Sequence, residues 1–219
     1  MPSAFRAGIP VLLVIFSVFL TGCQSTYYSA MEKVGVYKRE ILVDRIESSQ
    51  AAQEEAQEQF SSALEQFRSV VNFNGGDLEA LYDQLNTDYE DSVASADEVR
   101  KRIQAVKDVS EALFEEWEEE LELYSSAGLR RASQLQLNET RHQYKKMLAS
   151  VEQSEKRMQP VLNAFRDQVL YLKHNLNARA IAALKGQFGA IKLDIDRLLR
   201  DMQHSIDESR KFVATLQQS

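Results

Sequence analysis

The spacing that most constrains this chain is the return of apolar side chains at every seventh position, held in places over five or six repeats. Leu85, Ser92, Val99, Val106 and Leu113 form one series, and Tyr89, Ala96, Ile103, Ser110, Trp117 and Tyr124 form a second, offset by four. Such positions are the a and d sites of helices that bury one stripe against partner helices. The following segment sets Leu137, Tyr144, Val151, Met158, Phe165 and Leu172 against Leu148, Leu162, Val169 and Leu176, with Arg141 and Glu155 in the gaps. The last sets Ile181, Phe188, Ile195, Met202 and Leu216 against Leu184, Ile191, Leu198 and Phe212, with serines in the remaining slots. An earlier stretch keeps Val34, Tyr37, Ile41, Ala52, Ala56, Phe60, Ala63, Phe67 and Val70 on one face. Its middle is small and glutamine-rich, so thin packing is expected there. Stripes this long predict rods rather than a compact helical domain.

The stripes end where the turn chemistry lies. "NFNGGD" at 72–77 offers two adjacent glycines and an aspartate placed to cap the next helix, and "SSAGL" at 125–129 offers a second break. "KHNLNARA", from Lys173 to Ala180, has neither glycine nor proline. The heptad phase slips across it, which fits either a turn or a stutter within one long helix. The expected fold is therefore all-α: an elongated antiparallel bundle of long heptad-patterned helices, in four segments, or three if the last two are continuous. Helices of about 40 to 45 residues would span about 60 to 70 Å. Pro160 falls inside the third stripe, as a bend in that helix or as the first turn of a new one.

Charge supports the middle hairpin. Glu111, Glu115, Glu116, Glu118, Glu119, Glu120 and Glu122 close one helix, while Arg130, Arg131, Arg141, Lys145 and Lys146 open the next. Each cluster opposes its own helix dipole, and folding back at 125–128 lets the two clusters offset that penalty.

The N-terminus is of another kind. Arg6 precedes an apolar run from Ile9 to Leu20, about a dozen residues and too short for a bilayer-spanning helix, which needs roughly 20. It closes on Leu20, Thr21, Gly22 and Cys23, the pattern read by bacterial lipoprotein signal peptidase. Residues 1–22 are therefore expected to be a lipoprotein signal peptide, and 23–219 a single elongated helical-bundle domain. Cys23, the only cysteine, is the expected lipid attachment site, carrying diacylglycerol and an N-acyl chain such as palmitate. Gln24, rather than Asp, follows it, which points to the outer membrane with the body facing the periplasm. Removal of 1–22 takes away Arg6 and moves the formal net charge from -7 to -8. That sign argues against nucleic acid and against broad attraction to anionic lipid. A single cysteine excludes a disulfide framework.

Candidate metal ligands are Glu139 with His142 and Asp201 with His204, carboxylates three residues before a histidine, as in di-metal bundles. Both histidines fall on the solvent side of the heptad register. His174 reads as a cap or surface residue, and "NET" at 138–140 matches a glycosylation sequon of little meaning in a bacterial envelope. No nucleophile, phosphate loop or base pair stands at a recognisable spacing, so the expectation is a protein with no catalytic residues, no resident metal and no cofactor beyond the lipid.

"YYSAMEKVGVYKREILVDRI" at 27–46, "FNGGDLEALYDQLN" at 73–86 and "FRDQVLYLKHNLNARAIAAL" at 165–184 resemble a family of uncharacterised proteobacterial lipoproteins, catalogued as a domain of unknown function. The resemblance spans nearly all of the chain after Cys23 and implies an all-helical envelope protein. It carries no catalytic residues. The expected function is a non-catalytic, lipid-anchored scaffold or interaction protein with an envelope protein partner, self-association being compatible with the pattern. Its partner-contact tip would be formed by Asn175, Leu176, Asn177 and Arg179. The alternative is a ligand- or metal-binding bundle with an accessory enzymatic role, using interior polar groups such as Arg141 and Glu155.

Overall fold

The structure, a computed structural model, describes residues 37–218. The signal-peptide reading, Cys23 and Val34 lie outside the described residues. Within them the chain forms four helices, α1 (Lys38–Val71), α2 (Leu78–Leu121), α3 (Ala127–Lys173) and α4 (Ala178–Gln218), and no strand. Each helix packs against its sequence neighbours, and α1 also packs against α4, which closes an up-and-down antiparallel four-helix bundle. The break in "KHNLNARA" is a turn, and the last two segments are separate helices.

Local chemistry explains each end. The backbone N–H of Tyr37 donates to the Glu40 carboxylate at 3.4 Å, opening α1. Gly75 and Gly76 take φ values of 129° and 119°, a region that penalises any side chain, so the chain reverses here because glycine stands at both positions. Asp77 then caps α2 by accepting from the Ala80 N–H at 3.1 Å. Ser126 caps α3 by accepting from Leu129 at 3.4 Å. At the third turn two asparagines do by side chain what glycine does by backbone. The Asn175 amide donates to the Tyr171 carbonyl at 2.9 Å, and Asn177 accepts from the N–H groups of Arg179 and Ala180 at 3.0 and 3.1 Å. Pro160 sits inside α3, on its exposed face, and the helix continues on both sides of it.

The core is one continuous column. Phe60, Phe67 and Phe165 are fully buried, and Phe67 meets Phe165 edge-on at 6.0 Å and Phe188 at 5.6 Å. These contacts join α1, α3 and α4 in one aromatic layer. Nearer the other end, Tyr144 lies between Phe114 at 5.4 Å and Phe212 at 6.0 Å. Ala52, Ala56 and Ala63 of α1 are buried too, so its small middle is closed by close helix approach.

The expected hairpin pairing forms between α2 and α3. Arg141 donates to Glu118 at 2.6 Å and lies over the Phe114 ring at 5.0 Å, while Arg130 pairs with Glu122. Further along, Arg100 bonds Glu155 at 2.9 Å. Lys146 turns instead to Glu208 of α4.

Phe67→Ala should cost about 3 to 5 kcal/mol, because three helices lose their shared contact and leave a cavity. Urea unfolding followed by circular dichroism measures this; a loss below about 1 kcal/mol would show that the layer collapses to fill the gap.

Candidate functional site

Two regions of the bundle carry polar chemistry: an interior layer near its waist and the turns at its ends. The interior layer draws on three helices. Gln53 of α1 is fully buried, and its carboxamide oxygen accepts from the Ser205 hydroxyl of α4 and, at 3.5 Å, from Ser154 of α3. Its nitrogen donates to the Ser49 carbonyl at 3.3 Å. Ser154 and Ser205 also reach the carbonyls of Val151 and Met202, each at 2.8 Å, and Ser209 reaches Ser205 O at 2.8 Å. Each member of the layer therefore has a partner inside the protein, as buried polar groups require. A cavity of about 10 Å³ beside this layer, lined by Ile46, Ser49, Ile103, Met147, Val151 and Ser209 among others, has room for about a single water molecule. It cannot take an organic ligand.

Beside the layer, Glu208 is buried at the edge of α4 between Lys146 and Lys211, each 2.7 Å away. The hydrogen bonds from Lys146 and Lys211 hold its carboxyl at about 2, well below the usual carboxylate value. Asp88 of α2 shows the opposite effect: burial pushes its pKa upward against a hydrogen bond from Gln84. Burial also raises the Tyr144 phenol, whose hydroxyl bonds Ser110. On the surface, the Arg141 guanidinium lowers the Glu118 carboxyl.

The histidine–carboxylate pairs do not come together. Arg157 pairs with Asp201, and Lys146 pairs with Glu208, which sets the alignment of α3 against α4. His204 then lies between those two levels and His142 beyond the second, about 15 Å apart along the axis at 1.5 Å per residue. Both are exposed. Asp201 is engaged by Arg157, and Glu139 accepts from Gln143 at 2.7 Å. Among the described residues no group of three or more His, Cys, Asp or Glu side chains is arranged to hold a metal ion. Arg141 and Glu155, which sequence spacing put on the seam, sit half-buried at its flank in the ion pairs already described.

At the end formed by the α1–α2 and α3–α4 turns, Asn175 and Asn177 hold the backbone of the turn, while Leu176 and Arg179 are exposed beside them. At the opposite end the α2–α3 hairpin outruns its neighbours. Lys38, the first residue of α1, is level with Glu116, to which it donates at 2.7 Å, and α2 continues to Leu121 beyond that point. No described helix is long and apolar enough to cross a membrane.

An all-helical, up-and-down bundle with a hydrogen-bonded polar layer at its waist and polar turns is the class that these features define. Residues 27–216 match the family of proteins of unknown function DUF2959, and the chain belongs to that family. No curated protein matches the chain at a significant level.

The Glu208 carboxyl sets an acid limit on stability. Because its folded value lies below its unfolded one, 4.5, its contribution is complete above pH 4.5 and is lost as pH falls towards 2. The urea midpoint of the wild type should exceed that of Glu208→Gln at neutral pH, and the gap should close over that window. A gap that stays constant with pH would show that Glu208 contributes by packing alone.

Proposed function

We propose that this chain is a lipid-anchored, non-catalytic helical rod that holds or spaces protein partners in the bacterial cell envelope, tethered at Cys23 to the outer membrane with its body in the periplasm. The observation that carries the reading is Leu20-Thr21-Gly22-Cys23 at the end of an apolar run too short to span a bilayer, with no other cysteine in the chain. The geometry supports it in two ways. The described chain begins at Tyr37, at one end of the bundle, so a tether there leaves the long axis free to reach away from the membrane. At 1.5 Å per residue, the 34 residues of α1 place the far turns about 51 Å from that point. The far end presents Asn175, Leu176, Asn177 and Arg179, and these are the proposed partner contact, with Leu176 as its apolar centre. The formal net charge of -7 argues against nucleic acid as the partner.

Cys23→Ser tests the anchor directly. Intact mass of the wild-type protein should show an N-terminal cysteine at residue 23 with diacylglycerol and a further acyl chain. The variant should lose that mass and leave the membrane fraction. A wild-type protein with unmodified Cys23 would overturn the reading. Photo-crosslinkers at Leu176 and at mid-rod positions then test the partner surface. The reading requires a discrete adduct from the tip in intact cells that the mid-rod positions do not give.

A further inference from the structure

The end of the bundle at which α1 begins also carries an apolar surface. Leu123, Leu135, Leu129 and Tyr124 of the α2–α3 hairpin are 81%, 70%, 61% and 41% exposed, and Tyr37, at the start of α1 behind the tip, is 64% exposed. Exposed leucines scattered singly need no explanation, but these share one projecting tip. The level of Lys38 against Glu116 leaves the last turn of α2, the loop and the first turns of α3 beyond the ends of α1 and α4. At 1.5 Å per residue that is an overhang of roughly 10 to 15 Å.

We infer that this hairpin tip seats in the bilayer that holds the lipid anchor, with Leu123 and Leu129 in the acyl boundary and Tyr37 and Tyr124 at headgroup level. The inference rests on the lipid-anchor reading. Helix α1 begins at this end of the bundle. Thirteen residues separate Cys23 from Tyr37, fourteen Cα steps and so a tether of at most about 50 Å at 3.3 to 3.6 Å per step. The anchored membrane thus lies within reach of this end, while the opposite turns stand a bundle length further off. Charge points the same way. At the extreme tip Arg130 and Glu122 neutralise each other, and Arg131 is exposed alongside, so one cationic group in excess lies among the leucines. Glu119 and Glu120 form an acidic collar behind it. An apolar tip with one arginine unpaired among the described residues, one ion pair and an acidic collar suits a zwitterionic ethanolamine-headgroup bilayer and disfavours an anionic one. Long arginine side chains reach the phosphates while their stems stay apolar, and tyrosine rings favour the same level.

In the acylated protein Cys23 is blocked, so Leu123→Cys provides a single free thiol for a polarity-sensitive fluorophore. The full acylated chain is reconstituted in phosphatidylethanolamine-rich vesicles with or without lipids bearing a quencher in the acyl chain. Emission from position 123 should shift to the blue and lose most of its intensity to the quencher. Asn74→Cys, at the opposite end, should show neither change. Adding Leu129→Glu to the labelled protein should restore water-like emission at 123. Water-like emission at 123 on a protein whose mass shows the acylated cysteine overturns this inference and leaves the anchor reading standing. A label shielded from water but untouched by the quencher would place a second copy or another protein over the tip, and also overturns it. An unmodified Cys23 defeats both readings together.

Discussion

Helices with a clean seven-residue repeat can slide past one another by one heptad and bury nearly the same apolar area. The Gln53 carboxamide removes that freedom. In the observed alignment it meets Ser205 and Ser154, on two other helices, and nothing else at that level offers a hydroxyl to its oxygen. A shift of α1 by seven residues against α4 would place the amide beside Leu198 or Phe212, both buried and apolar. A buried amide left without its partners costs about 1 to 3 kcal/mol. One polar layer thereby selects among registers that burial alone leaves close in energy, the role a buried polar a-position plays in coiled coils.

With register set, the other layers fall into alignment. The Phe67, Phe165 and Phe188 cluster forms on one side of Gln53 and the Phe114, Tyr144 and Phe212 cluster on the other. The ion pairs along α2 and α3 follow from the same alignment. As exposed or half-exposed pairs they are worth about 0 to 1 kcal/mol each, too little to impose it.

Much of this was legible in the residues. Glycines that must reverse the chain, an aspartate one residue before a helix and opposed charge clusters gave the first two turns and the hairpin. The Lys173–Ala180 break stayed open between a turn and a stutter because asparagine side chains, not glycine backbone, make it. The inner layer was harder to see. In α3 the second buried series includes Thr140, Met147, Ser154 and Val161, three residues after the first; of the expected series, Leu162 and Val169 are buried, but Leu148 is half-buried and Leu176 exposed. A threonine and a serine carry no hydrophobic signal, and they face inward because hydroxyls can bond carbonyls of their own helix. Gln53 was hidden for a related reason: glutamines recur through the middle of α1, and spacing alone does not say which of them meets hydroxyls from two other helices. Pro160 escaped a decision because its missing N–H falls on the exposed face of α3, where water can bond the carbonyl left free.

The ends differ in what holds them. The far turns are closed by side-chain caps and stand over the Phe67 layer, with four helices beneath them. Among the described residues, the α2–α3 tip is a two-helix projection whose nearest supports are the Trp117 indole bonded to Ser133 at 2.9 Å and the Arg39 guanidinium over the same indole at 5.9 Å. Residues 122–132 are all exposed. Two helices without a third to cover their seam gain little from burial, and such a segment sits at the low end of local stability. Polar residues would suit a projection with no other contact, since each exposed leucine adds apolar surface to water at about 25 cal/mol per Å². Leucines at 123, 129 and 135 suit a projection that meets an apolar partner, and the proposed bilayer contact would supply one at the end where α1 begins.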